Sequence, residues 1–293
     1  MKIAHVINIF TPDEQSALYT AQPITLESMR VARDLAPDEV EVKLYSAHYK
    51  EDEASVPDYF NKTSFLEKSV LDFGKFEKQK KLPLINDILT HLYNTSDADY
   101  FIYTNNDIIL QPSFYDSVKQ IIDKGYDAFI INRRRIHSGF TKVEDLPLIY
   151  AEKGKKHPGF DCFVFKRDIF PRMQLGNICI GVPFIEVTMA HNLFCFARQF
   201  KLFDNLHLTI HIGMDVMRPR DDYYWYNRGE FDRIIKILKP HIDIRKFPYA
   251  EFPFFKRYIK WGLNPSLFVF MNMRLELVNL LKAIKRGINR FFF

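Results

Sequence analysis

The sequence is poor in cysteine and has no long apolar run. Its 293 residues include three cysteines, Cys162, Cys179 and Cys195, and none of them belongs to a C-x-x-C pair. Neither a zinc site nor a disulfide framework is therefore indicated. A transmembrane helix needs a run of about 18 uncharged apolar residues, and the chain has no such run. The apolar stretch within residues 1–10 is too short for a signal peptide and is typical of a first strand.

Several common phosphate-binding and catalytic motifs are missing as well. The chain contains no G-x-x-x-x-G-K-[ST], no G-x-G-x-x-G and no G-x-S-x-G. These absences argue against a P-loop kinase, a typical NAD-dependent enzyme and an α/β-hydrolase. The chain is nevertheless 47% hydrophobic and 15% aromatic, so it can bury a sizeable core and is not a disordered protein.

Apolar segments alternate with amphipathic segments along the first half of the chain. Strands are predicted at residues 2–10, 40–47, 100–104 and 127–132, and helices at residues 24–35, 83–93 and 112–124, with Thr25 as the first N-cap. Strands and helices that alternate at this spacing predict a mostly parallel, doubly wound sheet. The pattern is less regular after residue 135, where a buried helix is predicted at residues 183–200 and a strand at residues 206–212.

The most informative segment is the apolar run of residues 100–110, which is interrupted by Asn105, Asn106 and Asp107. The run predicts a buried strand whose carboxyl end delivers one carboxylate and two amides into a crevice, where open α/β sheets bind ligands. A hard oxygen ligand there suits a divalent cation that carries a nucleotide diphosphate. The alternative interpretation is a plain Asn-rich turn.

This segment resembles the short acidic metal-binding motif of GT-A glycosyltransferases, which is usually Asp-x-Asp, with Asn105 in the position of the first Asp. Other segments follow in the expected order, namely Arg133 to Arg135, residues 157–165 and residues 207–213, so that the resemblance covers roughly residues 1–215. It implies a GT-A-like (Rossmann-like) α/β fold, with a mostly parallel sheet flanked by helices. It also implies a catalytic domain over residues 1–215 that uses a nucleotide-sugar donor with Mn²⁺ or Mg²⁺.

The resemblance assigns roles to residues around the metal. Asp107 is the expected metal ligand, and His211, in a His-x-Gly at the end of a strand, is expected to complete the site. His207 is a weaker alternative, and a half-buried structural role for His211 remains open. The replacement of the first Asp by Asn105 removes one carboxylate. This loss should weaken metal affinity, or else indicates a site that relies on His211 and the oxygen atoms of the nucleotide.

The donor is expected to contact several further residues. The first strand should face the nucleotide through His5 and Asn8, while Asn105 and Asn106 should hold a ribose hydroxyl or a metal-bound water. Arg133 and Arg134, in a cluster with Arg135, match the geometry of a pyrophosphate or of an anionic acceptor. A solvated loop that pairs with nearby acids is the alternative for the arginines.

Two carboxylates are candidates for the chemistry. Asp161 follows a loop that contains Gly159 and precedes an apolar strand, where GT-A enzymes place a carboxylate on the donor sugar. Glu186 lies in a helix with apolar neighbours, where a buried charge is unfavourable unless it has a partner or a function. It is therefore a candidate general base or acceptor-binding group. His191 or Asn192 could serve instead of Glu186, and the structural alternative for Glu186 is a buried ion pair.

The basic excess belongs mostly to the end of the chain. Residues 252–293 contain eight Lys and Arg but one acid, Glu276. Residues 277–291 place Leu, Ile and Phe opposite Lys and Arg, which is typical of an interfacial membrane helix. We therefore expect an aromatic and charged lid or connector over residues 216–250, and a basic amphipathic helical appendage over residues 251–293 that binds an anionic membrane or a partner. Nucleic acid is not expected, because the basic residues share their segment with aliphatic surface.

The sequence thus predicts a cytoplasmic enzyme that is peripheral on the inner face of the cell membrane. It would transfer a sugar from a nucleotide-diphosphate donor to a lipid-linked or cell-surface glycan acceptor. Two alternatives remain open, namely a nucleotidyltransferase that uses the same metal and phosphate chemistry, and an inactive GT-A-like scaffold at the membrane surface.

Overall fold

The computed structural model describes residues 1–213, 220–263 and 284–286. The strands of these residues are β1 (Lys2–Ile7), β2 (Glu41–Ser46), β3 (Asn61–Lys62), β4 (Tyr100–Thr104), β5 (Ile109–Leu110), β6 (Ala128–Ile131), β7 (Arg134–Ile136), β8 (Lys155–Lys156), β9 (Cys162–Lys166), β10 (Phe200–Phe203) and β11 (Thr209–Ile212). Their α-helices are α1 (Ala17–Asp34), α2 (Ile85–Thr95), α3 (Phe114–Asp123), α4 (Leu146–Ala151), α5 (Ile185–Phe196), α6 (Asp222–Leu238) and α7 (Phe254–Gly262).

Seven strands of the described chain form the main sheet, in the order β10-β6-β9-β4-β1-β2-β3. Strand β9 runs antiparallel to both of its neighbours, and every other pair in this sheet is parallel. The carboxyl ends of β1, β4 and β6 therefore lie along one edge, together with the start of β9. The mostly parallel sheet, flanked by helices, confirms the predicted fold class.

The apolar side chains of the main sheet divide between two cores because successive residues of a strand face opposite sides. On one side, Phe101 and Phe165 pack with residues of α2, α5 and α6. On the other side, Ile102 and Val164 pack with residues of α1 and α3. Strands that are buried on both faces read as continuous apolar runs, and for that reason β4 and β6 were predictable from the sequence.

A second sheet of the described residues has the order β5-β11-β7-β8. Strand β5 is antiparallel to β11, β11 is parallel to β7, and β7 is antiparallel to β8. This small sheet lies beside the carboxyl edge of the main sheet, because β5 follows β4 and β7 follows β6 after short turns. The polar residues in these two turns are thereby held between the two sheets.

Two helix boundaries differ from the prediction by more than one helical turn. Helix α1 begins at Ala17 and not at residue 24, because the Ser16 hydroxyl caps it by accepting a hydrogen bond from the Leu18 amide at 3.2 Å. Thr25, the predicted N-cap, is buried within this helix. Helix α5 ends at Phe196, and the following residues form β10, an additional parallel strand beside β6.

The C-terminal part of the described chain is helical. Helix α6 packs against α5, and its Tyr223 stacks on Phe76 with ring centroids 4.0 Å apart. Helix α7 follows after a short irregular segment. The predicted amphipathic helix at residues 277–291 falls mostly outside the described residues. No helix in the described part of the chain is both long and apolar enough to span a membrane.

Candidate functional site

The pairing of β5 with β11 brings Asp107 next to His211. In this antiparallel pair Ile109 lies opposite Ile210, so the residues just before β5 lie alongside the end of β11. The Nε2 atom of His211 is 3.2 Å from the Oδ2 atom of Asp107. The alternative histidine, His207, is placed elsewhere, since its Nε2 lies 3.1 Å from the side-chain nitrogen of Gln111.

The Asp107–His211 pair is polar, partly buried and incompletely satisfied. Burial raises the pKa of Asp107, but the hydrogen bond and charge of His211, together with the charge of Arg133, outweigh it and lower the pKa below its ordinary value. Asp107 Oδ1 and His211 Nδ1 are both buried and have no hydrogen-bond partner in the described part of the molecule. Buried polar atoms without partners are uncommon in folded proteins, and a bound water, ion or ligand would satisfy these two.

A divalent cation fits the geometry of this pair. Two adjacent ligands of an octahedral ion, each at about 2.1 Å, lie about 3 Å apart, close to the observed separation of 3.2 Å. Carboxylate oxygen and imidazole nitrogen both suit Mn²⁺. Residues 1–213, 220–263 and 284–286 contain no group of three or more His, Cys, Asp or Glu side chains that could hold a metal. A cation here would therefore take its remaining ligands from phosphate and water.

A second pair, Arg133 and Asp161, lies at the same edge of the main sheet. The antiparallel strand β9 begins between the ends of β4 and β6, with Cys162 opposite both Thr104 and Ile131. Asp161 precedes Cys162 and is therefore held at this edge, where its Oδ1 accepts a hydrogen bond from the guanidinium of Arg133. Its side chain is only 2% exposed.

Burial raises the pKa of Asp161 to about 6, although Arg133 and His157 act in the opposite direction. The carboxyl group is therefore ionised at neutral pH, where it forms an ion pair with Arg133. Its Oδ2 atom is buried and lacks a hydrogen-bond partner among the described residues. An oxygen in this state can accept a hydrogen bond from a ligand hydroxyl at little further desolvation cost.

Glu186 lies close to these pairs, in the first turn of α5. Its charge raises the pKa of Tyr103 and of Asp161, which places the carboxylate within electrostatic range of both. The side chain is half-buried. The residue before the helix, Phe184, has φ of +88°, so a sharp backbone turn directs the start of α5 toward the site.

The predicted substitutes for Glu186 are structural. His191 Nδ1 lies 2.6 Å from the carbonyl of Val187, and burial lowers the pKa of this histidine to about 4. The side chain of Asn192 bonds to the backbone amide and carbonyl of Gln174. Neither residue is brought to the site by the fold.

The small sheet carries a row of basic side chains that begins at His211. Arg135 is the register partner of His211 on β7, and Lys155 is the register partner of Arg135 on β8. Register partners point to the same face of a sheet, so the three side chains form a row over adjacent strands. The row leads away from the Asp107–His211 pair over a distance of about 10 Å, two strand spacings.

The structure places Arg134, a predicted phosphate ligand, away from the basic row. Side chains alternate along a strand, so Arg134 faces away from the basic row. It is buried, and its guanidinium donates to the backbone carbonyls of Lys153 and Gly154. These contacts fix the start of β8 and leave the arginine unavailable for a donor phosphate.

The structure places His5, a predicted contact of the nucleotide, in the protein core. His5 is fully buried on the α3 side of β1, and desolvation lowers its pKa to about 3. Its Nδ1 lies 2.8 Å from the Tyr115 hydroxyl and its Nε2 lies 2.9 Å from the Thr104 hydroxyl. Both ring nitrogens are thus occupied by the protein core.

The three predicted asparagines lie at the carboxyl edge of the main sheet. Asn8 follows β1 and donates a 2.7 Å hydrogen bond to the carbonyl of Ala47. Asn105 accepts a 3.1 Å hydrogen bond from the Tyr103 hydroxyl, and Asn106 donates a 3.0 Å hydrogen bond to Gln22. The bonds of Asn105 and Asn106 hold the turn between β4 and β5, so these two asparagines position Asp107 through the backbone.

Sequence reasoning missed two residues near the site, Lys155 and His157. The backbone amide of His157 bonds to the carbonyl of Arg133, which extends the pairing of β7 and β8 by one residue. A strand of two residues has no recognisable apolar pattern. The available signal was the concentration of basic residues at positions 153, 155, 156 and 157.

No protein-family model matches the chain, and no curated protein matches it. Several solved structures of S. aureus TarS are similar in shape. A structure of TarS 1-349 has 8% identity and a TM-score of 0.47, over 82% of this chain and 65% of that one. TarS 1-349 in complex with UDP-GlcNAc has 10% identity and a TM-score of 0.44, over 96% and 84%. At these values the similarity establishes neither a shared activity nor a shared site.

Proposed function

We propose that the chain is a glycosyltransferase that uses a nucleotide-diphosphate sugar as donor. The observation that carries this proposal is the Asp107–His211 pair at the carboxyl edge of a mostly parallel sheet, where Oδ2 and Nε2 lie 3.2 Å apart. The second polar atom of each side chain is buried and has no hydrogen-bond partner among the described residues. Such an edge is where open α/β sheets bind nucleotides. The resemblance of residues 100–110 to the GT-A metal-binding motif gives the same assignment.

Asp107 and His211 would hold Mn²⁺ or Mg²⁺. The bound ion would neutralise the charge that develops on the nucleoside diphosphate leaving group. The chain itself would contribute the basic row, in which Arg135 and Lys155 follow His211 in register. Guanidinium and ammonium groups on one face attract and orient a diphosphate, and they keep it close to the metal pair.

Asp161 and Arg133 would position the donor sugar. Their ion pair holds the Asp161 carboxylate still, while Oδ2 remains available to accept a hydrogen bond from a sugar hydroxyl. The Asp161 side chain is only 2% exposed, whereas Glu186 is half-buried and open to an acceptor that arrives from solvent. We therefore assign Asp161 to sugar binding and give the proton transfer to Glu186.

Glu186 would act as the general base. The acceptor hydroxyl oxygen forms a bond to the anomeric carbon, the bond from that carbon to the diphosphate oxygen breaks, and the hydroxyl proton moves to Glu186. The partial exposure of Glu186 lets an acceptor reach it from solvent. A lipid-linked or cell-surface glycan acceptor is part of the proposal and rests on the basic, aromatic C-terminal segment.

Release of nucleoside diphosphate from a panel of nucleotide-sugars, including UDP-GlcNAc, tests the proposal. The wild type is assayed with and without Mn²⁺ or Mg²⁺, beside Asp107→Asn, His211→Ala and the control His207→Asn. We expect metal-dependent turnover of one donor, which both site variants lose and the control keeps. Turnover of a nucleoside triphosphate would favour a nucleotidyltransferase. If no donor binds with or without metal, the proposal fails and the scaffold alternative replaces it.

A further inference from the structure

Helix α7 presents large apolar side chains to solvent. Phe255 is 81% exposed and Ile259 is 64% exposed. These residues lie four positions apart, so they form one stripe on the helix, and Tyr258 and Leu263 border the stripe. Soluble surfaces seldom carry so many adjacent exposed aromatic and aliphatic side chains, and such a patch marks an interaction surface.

The opposite side of α7 is fixed to the protein. Trp261 is 2% exposed, and its indole Nε1 donates a 2.7 Å hydrogen bond to the carbonyl of Pro248. Arg257 donates a 3.2 Å hydrogen bond to the carbonyl of Ala250. The helix is therefore anchored through Trp261 and Arg257, and the stripe of Phe255 and Ile259 is directed outward by this anchoring.

The charges of α7 are all positive. Lys256 and Lys260 lie beside the apolar stripe, Arg257 lies on the anchored side, and the helix contains no acid. A cavity of about 290 Å³ opens beside it, lined by Arg245, Ala250, Glu251, Arg257, Tyr258 and Trp261. Burial and the charge of Lys260 lower the pKa of Lys285, which places residues 284–286 and their two basic side chains near the same surface.

We infer that α7 is a docking surface for an anionic lipid bilayer. Phe255 and Ile259 enter the boundary between headgroups and acyl chains, while Lys256 and Lys260 lie at the level of the headgroup phosphates. This inference goes beyond the proposed function and does not depend on it.

The charge pattern favours a bilayer over a second copy of the chain. A twofold interface would bring the same patch of each copy together, and the cations of one α7 would then face those of the other. Like charges in contact oppose association. An anionic bilayer satisfies the basic residues and the apolar stripe together.

Co-sedimentation of the full chain with vesicles tests this inference. The vesicles contain phosphatidylcholine, with or without phosphatidylglycerol. We expect binding that requires the anionic lipid and weakens with salt. The double variant Phe255→Ser/Ile259→Ser should bind vesicles at least about tenfold more weakly. Both apolar side chains would be buried in the bilayer, and this burial raises the partition coefficient by several factors of ten. The variant Lys256→Gln/Lys260→Gln should lose most of the preference for anionic lipid.

A matched control replaces exposed apolar residues elsewhere. Leu148 and Ile237 are 62% and 53% exposed, and Leu148→Ser/Ile237→Ser should bind vesicles like the wild type. All substituted positions are on the surface, so the variants should fold, which thermal unfolding verifies. Unchanged vesicle binding in both α7 variants would overturn the inference. So would a dimer, measured by sedimentation equilibrium, that the apolar α7 variant dissociates while vesicle binding stays unchanged.

Discussion

The Oδ2 atom of Asp107 lies 3.2 Å from the Nε2 atom of His211. Asp107 comes from the turn after the central strand β4, and His211 comes from the small second sheet. The contact forms where β5 pairs with β11, and the turn that carries Asp107 links this small sheet to β4 of the main sheet. Anything that shifts β11 relative to β5 should alter the candidate site before it alters the main core.

The assignment of Glu186 as general base predicts the effect of Glu186→Gln. The amide keeps the size of the side chain but cannot take up a proton, so kcat for sugar transfer should fall by about 100-fold or more. The KM for the donor should stay within about twofold, because Glu186 is assigned to the acceptor side. Steady-state kinetics with the donor identified in the panel measure both quantities. A large rise in donor KM with unchanged kcat would contradict the assignment.

The Arg133–Asp161 ion pair predicts strong coupling between two substitutions. Arg133→Met leaves a buried carboxylate without this partner and should lower the free energy of unfolding by about 3 kcal/mol or more. Adding Asp161→Asn removes the buried charge, so the double variant should be less destabilised than the sum of the two single variants. Urea unfolding of the four proteins at neutral pH measures the cycle. Additive costs would show that the pair is not coupled.

The backbone at Gly154 predicts a local cost for an added methyl group. Gly154 has φ of +59°, and a Cβ atom there would lie 2.7 Å from the Arg135 carbonyl oxygen. Gly154→Ala should therefore destabilise the chain by about 1–3 kcal/mol and disturb the pairing of β7 with β8.

Gly229 provides the matched control for that substitution. It lies within α6, and a Cβ atom there meets nothing within 4 Å. Gly229→Ala should be neutral or stabilising by about 0.5–1 kcal/mol, because alanine is the better helix former. Urea unfolding midpoints compare the two variants. Equal effects at both glycines would contradict the strain at Gly154.

Buried His191 predicts a contribution to acid sensitivity. Burial lowers its pKa from 6.5 to about 4. Between these two pH values the histidine is protonated in the unfolded chain and neutral in the folded chain. Stability is therefore lost as the pH falls from about 6.5 to about 4, on the order of 1 kcal/mol per pH unit from this group. His191→Phe should make the decline less steep over this range. Urea unfolding of the wild type and of His191→Phe at several pH values measures this decline. If the free energy of unfolding falls equally with pH in the two proteins, His191 makes no contribution.

The main sheet was predictable because its strands are buried on both faces. The apolar runs at β4 and β6 are typical of buried strands. The polar residues that follow the run of β4 indicated that Asp107 lies at the end of this strand. The small sheet was not predictable, because β5 and β8 have two residues each. Its pairing is determined by tertiary contacts and leaves no period in the sequence.

The arginine cluster shows why residue type alone could not assign roles. The three arginines at positions 133 to 135 have the same side chain, so the sequence alone does not distinguish them. Strand β7 directs Arg134 to the sheet face opposite that of Arg135. The position of His5 was unpredictable for a related reason. A central strand is buried on both sides, so its sequence does not reveal which polar residue faces a ligand and which bonds to core hydroxyls.

The central claim is that Asp107 and His211 hold a divalent cation together with a nucleoside diphosphate. Titration of Mn²⁺ followed by its electron paramagnetic resonance signal, with and without UDP, measures this directly. We expect weak Mn²⁺ binding alone, tighter binding with the nucleotide, and loss of both in Asp107→Asn and in His211→Ala but not in His207→Asn. Nucleotide-dependent Mn²⁺ binding that survives in both site variants would contradict it, and so would the absence of Mn²⁺ binding by the wild type.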